Sequence, residues 1–101
     1  MKNLQVDLIV TRNGYGFGYD WQMSVKRGEE EKIFYLGQDA KVCSRILGMT
    51  GREVAQHVGS NDLNLLSTRQ AIAEMILQTF GVTDDNEDEL FNTPPWELAA
   101  E

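Results

Sequence analysis

Apolar and polar residues alternate from the start of the chain. Leu4-Gln5-Val6-Asp7-Leu8-Ile9-Val10 keeps a period of two apart from Ile9, which predicts a half-buried strand. Asn13-Gly14 follows, a dipeptide suited to a tight turn in which both central residues take positive φ. A two-residue turn at that point sets opposite each other residues whose numbers sum to 27. Val10 then meets Phe17, Leu8 meets Tyr19, Val6 meets Trp21 and Leu4 meets Met23. Each such pair contributes ~0.2–1 kcal/mol beyond an alanine pair, and a slip of one residue turns the whole set outward. The second strand is expected from about Tyr15 to Lys26, and Arg27-Gly28-Glu29-Glu30-Glu31 reads as a charged turn. Lys32 to Gly37 makes a third strand of mostly β-favouring residues. Its register is open, because Ile33 with Tyr35 and Phe34 with Leu36 are both apolar inward sets.

After Gly37 the period becomes helical. Asp39 is placed to cap a helix to about Leu47, with Gly48 as its stop. Thr50 and Glu53 have capping-box spacing and open a second short helix that ends near Gly59. Gly59 to Leu66 reads as a loop. Ser67 and Gln70 repeat the box, and the helix from Thr68 to Phe80 buries Ile72, Met75, Ile76 and Phe80 before Gly81. The expected fold class is therefore α+β: a three-stranded antiparallel β-meander followed by three helices packed on one face. Such a sheet is stable only with one face covered. Residues 1–82 form this single domain, and residues 83–101 form an acidic, aromatic-containing tail.

Charge supports that division. The chain of 101 residues has a formal net charge of −7, and residues 1–82 hold all 9 basic residues together with 9 acids. The other 7 acids are Asp84, Asp85, Glu87, Asp88, Glu89, Glu97 and Glu101. A neutral body neither attracts nor repels DNA at long range, and the tail by itself is repelled by phosphate. No apolar run approaches the ~20 residues of a membrane span. Met1 to Val10 alternates and carries Asp7, unlike the continuous apolar stretch of a signal peptide. The single cysteine, Cys43, excludes an internal disulfide and a multi-cysteine zinc site, so a reducing, cytoplasmic setting is expected.

Several groups of residues carry candidate chemistry. Cys43 to Val58 resembles the helix-turn-helix of DNA-binding proteins: Ser44, Gly48, Met49 and Thr50 fit its small residue, turn glycine, apolar residue and cap. Val54 sits where the second helix packs on the first. The resemblance implies that Thr50, Arg52, Glu53, Gln56 and His57 face a major groove, with Arg45 alongside. Arg52 and Gln56 are of types that read base edges. Histidine at position 57 departs from the expected apolar residue, and a plain corner of two packed helices uses the same glycine and cap. Gly14-Tyr15-Gly16-Phe17-Gly18 is similar to the glycine–aromatic core of RNA-stacking strands, but Asn13 stands where a cation is wanted. The 27-sum register makes those rings a core face. It also leaves Gly16 and Gly18 on a flat opposite face open to close backbone approach.

That register also sets Asp7 against Asp20, a pair that offers too few donors for a dedicated calcium site. Cys43 and His57, the sole residues of their types, are the one pair available for a thiol–imidazole dyad. No nucleophile-elbow, phosphate-cradling or zinc spacing is present. In the tail, Phe91, Trp96 and Leu98 interrupt the acids, and Pro94-Pro95 stiffens the approach to the tryptophan. Its destinations are solvent, the chain's own body or a partner, since ~18 flexible residues reach roughly 20–25 Å.

The reading that joins these observations is a small non-enzymatic interaction or regulatory protein, without cofactor or metal. It contacts a protein partner through Asp84, Asp85, Glu87, Asp88, Phe91, Trp96 and Leu98 and through the flat sheet face. The alternative is a nucleic-acid-binding regulator using residues 43–58, with the tail as an intramolecular competitor. A third is an inhibitor whose acids imitate nucleic acid.

Overall fold

The structure is a computed structural model that describes residues 4–12, 18–83 and 85–96. Strands β1 (Leu4–Arg12), β2 (Tyr19–Arg27) and β3 (Glu30–Gln38) form an antiparallel meander in that order. Helix α1 (Asp39–Lys41) runs into a π-helical turn, Val42–Ile46, followed by α2 (Gly51–Val58), α3 (Leu66–Thr79) and α4 (Glu87–Asn92). The arrangement is α+β, with the sheet first and the helices after it. Among the described residues, no helix is long and apolar enough to cross a membrane.

The hairpin register differs from the one a two-residue turn would give. Facing residues of β1 and β2 sum to 31, so Val10 meets Trp21, Leu8 meets Met23, Val6 meets Val25 and Leu4 meets Arg27. Paired residues stop at Arg12 and resume at Tyr19, so six residues connect the strands. Asn13 to Phe17 lie outside the described residues, and with them the expected Asn13-Gly14 turn and the Val10–Phe17 pair. The shift, 31 minus 27, is an even number of positions, so each side chain keeps its face. The physical gain is Val25. The 27-sum register would have set it against residue 2, beyond the alternating run, whereas here it faces Val6 and is fully buried.

The sheet's inner face carries Leu4, Leu8, Trp21, Met23, Val25 and Leu36, all buried with Ile72, Ala73, Ile76 and Leu77 of α3. On β3 the inward set is Phe34 with Leu36, and Ile33 and Tyr35 face out. Asp7 and Asp20 are not opposite each other. Asp7 faces Ser24, Asp20 faces Thr11, and Asp7 is ion-paired with Arg69 of α3 at 3.2 Å. No cluster of three or more metal-ligating side chains occurs among the described residues.

Two helix starts differ from expectation. The first N-cap is Gln38 rather than Asp39, whose Oδ1 instead accepts from the Ala40 N–H at 2.8 Å. Gly18 (φ +89°) lies against this carboxylate, where a Cβ would come within 2.9 Å of Asp39 Oδ1. So Gly18 answers to a turn and a close approach, and does not flatten a strand. Helix α3 begins at Leu66, and Leu65 is an N-cap without a side-chain bond. Asp62 sets this earlier start: its Oδ1 accepts from Asn64 N–H and its carbonyl from Leu65 N–H. Ser67 therefore falls inside the first turn, where its hydroxyl cannot cap. The Thr50–Glu53 capping box is present with both reciprocal bonds, and α2 ends at Gly59 in the left-handed region (φ +87°).

The C-terminal segment packs on the body. Phe91 and Trp96 are fully or almost fully buried in the same core as the sheet and α3, and Pro94 between them is buried as well. Trp96 lies edge-on to Phe34 and tilted against Phe80, with centroid distances of 6.3 Å in both cases. Arg27 and Lys32 each stand 4.6 Å over the Phe91 ring. Arg27 is also ion-paired with Asp88, and Lys32 donates to Asn92 at 3.3 Å. The segment that carries the net charge thus lies under the β2–β3 end of the sheet, against two of the body's cations.

Candidate functional site

The helices cover one face of the sheet, and of the other face only the part beside the start of α3 is approached by a helix. Alternation places Gln5, Asp7, Ile9 and Thr11 of β1 on the open face. Beside them stand Asp20, Gln22, Ser24 and Lys26 of β2, then Glu31, Ile33 and Tyr35 of β3. Cross-strand rows run Ile9–Gln22–Tyr35 and Asp7–Ser24–Ile33. Ile33 is 50% exposed and Tyr35 53%. Leu65 and Leu66, at the start of α3, are nearly as open. A groove of about 330 Å³ lies between this face and α3, lined by Gln5, Asp7, Ile9, Ser24, Lys26 and Leu66 among others.

The polar groups here are fixed. Ser24 Oγ donates to Glu31 Oε2 at 2.9 Å, and Lys26 Nζ lies 3.7 Å from the same carboxylate oxygen. Arg69 bonds Asp7 through Nε and donates through Nη1 to the Leu63 carbonyl at 2.9 Å, tying the α3 start to the edge of β1. The face is therefore a pre-ordered polar lattice with apolar side chains standing out of it. Such a mixture suits recognition of another surface, because apolar contacts supply energy and fixed polar groups supply register.

A second concavity, of about 360 Å³, lies between α2 and the start of the helical layer. Trp21, Asp39, Cys43, Arg52, Val54 and Leu63 line it among others. Cys43 is turned inward by the π-helical turn, in which Leu47 N–H bonds the Val42 carbonyl at 3.2 Å and Met49 N–H the Cys43 carbonyl at 2.9 Å. Burial pushes the Cys43 thiol up to about 11, and the neighbouring Asp39 carboxylate adds to the rise. At neutral pH this group is a thiol and a poor nucleophile. His57 does not line the concavity, no hydrogen bond joins it to Cys43 among the described residues, and its side chain is exposed. The geometry brings the two together in no dyad.

The helix-turn-helix candidates separate cleanly by face. Val54 is buried and Val58 half-buried, whereas Thr50, Arg52, Glu53, Gln56 and His57 are exposed. Val58 thus takes the inward place expected of position 57. Arg45 is exposed on the π-helical turn. The element before the turn is not a regular α-helix: only Asp39–Lys41 is α-helical before the π-helical stretch.

The tail candidates do not form one exposed surface. Asp85 and Asp88 are exposed, Glu87 is buried, and Phe91 and Trp96 belong to the core. Asp84 and Leu98 lie outside the described residues. The two rings expected to anchor a partner therefore anchor the segment to its own sheet.

Ile9, Ile33, Tyr35, Leu65 and Leu66 were not among the sequence candidates. Their signal was the open register of β3. A strand with two equally apolar alternating sets has apolar side chains on both faces, and a sheet covered on one side leaves one set in water. Leu65-Leu66 sat in a stretch read as loop, where an apolar pair carries no periodicity to interpret. No family model matches this chain, and neither the curated proteins nor the solved structures compared with it include a match.

Proposed function

We propose that the chain is a small non-enzymatic protein-interaction module whose contact surface is the open face of its sheet. One observation supports this reading most directly: Ile33 and Tyr35 stand half-exposed in adjacent outward positions of β3, on the part of the face that the start of α3 does not reach. Transfer of such side chains from water is worth ~1.5–3 kcal/mol each when burial is complete. Tyrosine in particular recurs among the residues that dominate interface energies. The groove beside Leu66 gives the face a concave margin. The exposed carboxylates of Asp85, Asp88 and Glu89 add a negative field at one end, which favours approach of a basic partner surface.

The nucleic-acid reading has less behind it. The exposed side of α2 offers Arg52, Gln56 and His57, but Arg27, Lys32 and Arg69 are engaged within the fold. Three of the nine basic residues are thus held inside the fold, which lowers the number left to release counterions from phosphate.

The test uses the full chain, immobilised, against an extract of its source cells, beside Leu66→Asp. An aspartate in the first turn of α3 suits the helix dipole, so the fold is retained and circular dichroism is unchanged. The expected result is a protein captured by the wild type and lost by the variant. An identical captured set for both proteins sinks the reading.

A further inference from the structure

The concavity beside α2 holds polar groups that the fold leaves unused. Trp21 forms part of its wall and is 3% exposed, and its buried indole Nε1–H has no hydrogen-bond partner among the described residues. A buried donor without an acceptor is rare in a native structure and calls for an explanation. The start of α2 supplies two further donors. The N–H groups of Thr50, Gly51, Arg52 and Glu53 have no acceptor within the helix. The capping box satisfies those of Thr50 and Glu53. Those of Gly51 and Arg52 are left, and both residues line the concavity.

Two opposite charges share the same lining. The Arg52 guanidinium makes no ion pair or hydrogen bond among the described residues. Asp39 accepts from Ala40 N–H through Oδ1, and its Oδ2 has no partner among the described residues. No ion pair joins the two side chains among the described residues. Trp21, Val54, Leu63 and Ile72 make much of the remaining wall apolar. The volume, about 360 Å³, lies at the small end of the ~300–1,000 Å³ of small-molecule sites.

We propose that this concavity binds a free α-amino acid with an apolar side chain. The carboxylate is the acceptor that the unused donors lack: the Arg52 guanidinium, the free N–H groups at the start of α2 and the Trp21 indole. The positive end of the α2 dipole favours the same negative charge. The ammonium group goes to Asp39, and the side chain to the apolar wall. A carboxylic acid without the ammonium would meet an unneutralised Asp39. An amine without the carboxylate would leave the indole and the α2 donors unsatisfied. An amino acid answers both requirements in one small molecule.

Nuclear magnetic resonance of the full chain tests this. Trp21 and Trp96 are the two tryptophans, and Trp96→Phe identifies the Trp21 indole N–H signal. Titration with L-leucine should move that signal downfield, with a Kd of about 1 mM or tighter. 4-Methylpentanoate, which lacks the ammonium, and 3-methylbutylamine, which lacks the carboxylate, should bind at least about tenfold more weakly. Arg52→Gln, at an exposed position, should weaken L-leucine at least about tenfold. Asp39→Asn keeps an acceptor for Ala40 N–H, and it should weaken L-leucine while strengthening 4-methylpentanoate. A merely structural role for Asp39 would not reverse the preference. No movement of the signal at about ten times the expected Kd overturns the site. Equal affinity for L-leucine and 4-methylpentanoate overturns the amino-acid assignment, and so does undiminished binding by Arg52→Gln. The proposal goes beyond the open-face reading and fails separately from it: Leu66 is not part of this lining, so Leu66→Asp should bind L-leucine as wild type does.

Discussion

Two pairs of apolar residues in this chain sit in charged surroundings and have opposite fates. Phe91 and Trp96 follow the run of acids from Asp84 to Glu89, yet they are 1% and 0% exposed. Ile33 and Tyr35 follow Glu29-Glu30-Glu31 and remain half in water. Composition around the rings does not distinguish them. What distinguishes them is whether the chain supplies its own cover. The C-terminal segment is an aromatic stretch on a connection long enough to reach the β2–β3 end, where Arg27 pairs with Asp88 and both Arg27 and Lys32 lie over Phe91. The open face has no further segment among the described residues to cover it.

The largest effect should come from removing the cover. Trp96→Ala takes a fully buried indole away from Phe34 and Phe80, and truncations of this size cost ~3–5 kcal/mol. Urea unfolding followed by far-ultraviolet circular dichroism measures it. Trp96→Phe sharpens the result. Among the described residues the buried indole N–H has no hydrogen-bond partner, so phenylalanine removes an unsatisfied donor as well as volume and should cost less than half as much as alanine. A cost below about 1 kcal/mol for Trp96→Ala would mean that the segment is not docked in solution, and the contrast between the two pairs would collapse.

The legible parts of the molecule were those set by local chemistry. The alternation of β1, the capping box at Thr50 and Glu53, and the stop at Gly59 depend on residues a few positions apart, and each is present in the structure. The hairpin register was not legible, because a tight turn at Asn13-Gly14 and a longer connection give the same faces, and the choice rests on where Val25 finds a partner. The destination of Trp96 was not legible either, because Phe34 and Phe80 are distant in sequence. The open-face residues were not legible for a related reason: exposure of Ile33 and Tyr35 follows from which of two β3 sets Trp96 covers. The site is therefore the complement of a long-range contact.

A smaller burial effect can be read through pH. The Cys43 thiol is raised from 9.0 to about 11 in the fold, by burial first and by Asp39 second. The protonated thiol is the form the fold favours. Its contribution is complete below the unfolded value near 9 and is lost as pH rises through about 11. Between those limits wild type should lose up to about 2–3 kcal/mol more stability than Cys43→Ala, since each pKa unit is worth ~1.4 kcal/mol. Comparing the two proteins cancels the tyrosines and lysines that titrate in the same range. Equal slopes for the two would place the thiol in contact with water and weaken the packing assigned to the π-helical turn.

The smallest effect belongs to the open face. Tyr35→Thr and Ile33→Thr keep a β-favouring residue in β3 and remove apolar surface that is already half hydrated. In dilute solution each should change stability by no more than about 0.5 kcal/mol, the range of ordinary surface substitutions. Urea unfolding of each variant beside wild type measures it. A cost above about 1.5 kcal/mol would show that these side chains are covered within the chain. The open face would then be an inner one, and the difference between the two aromatic regions would be one of degree.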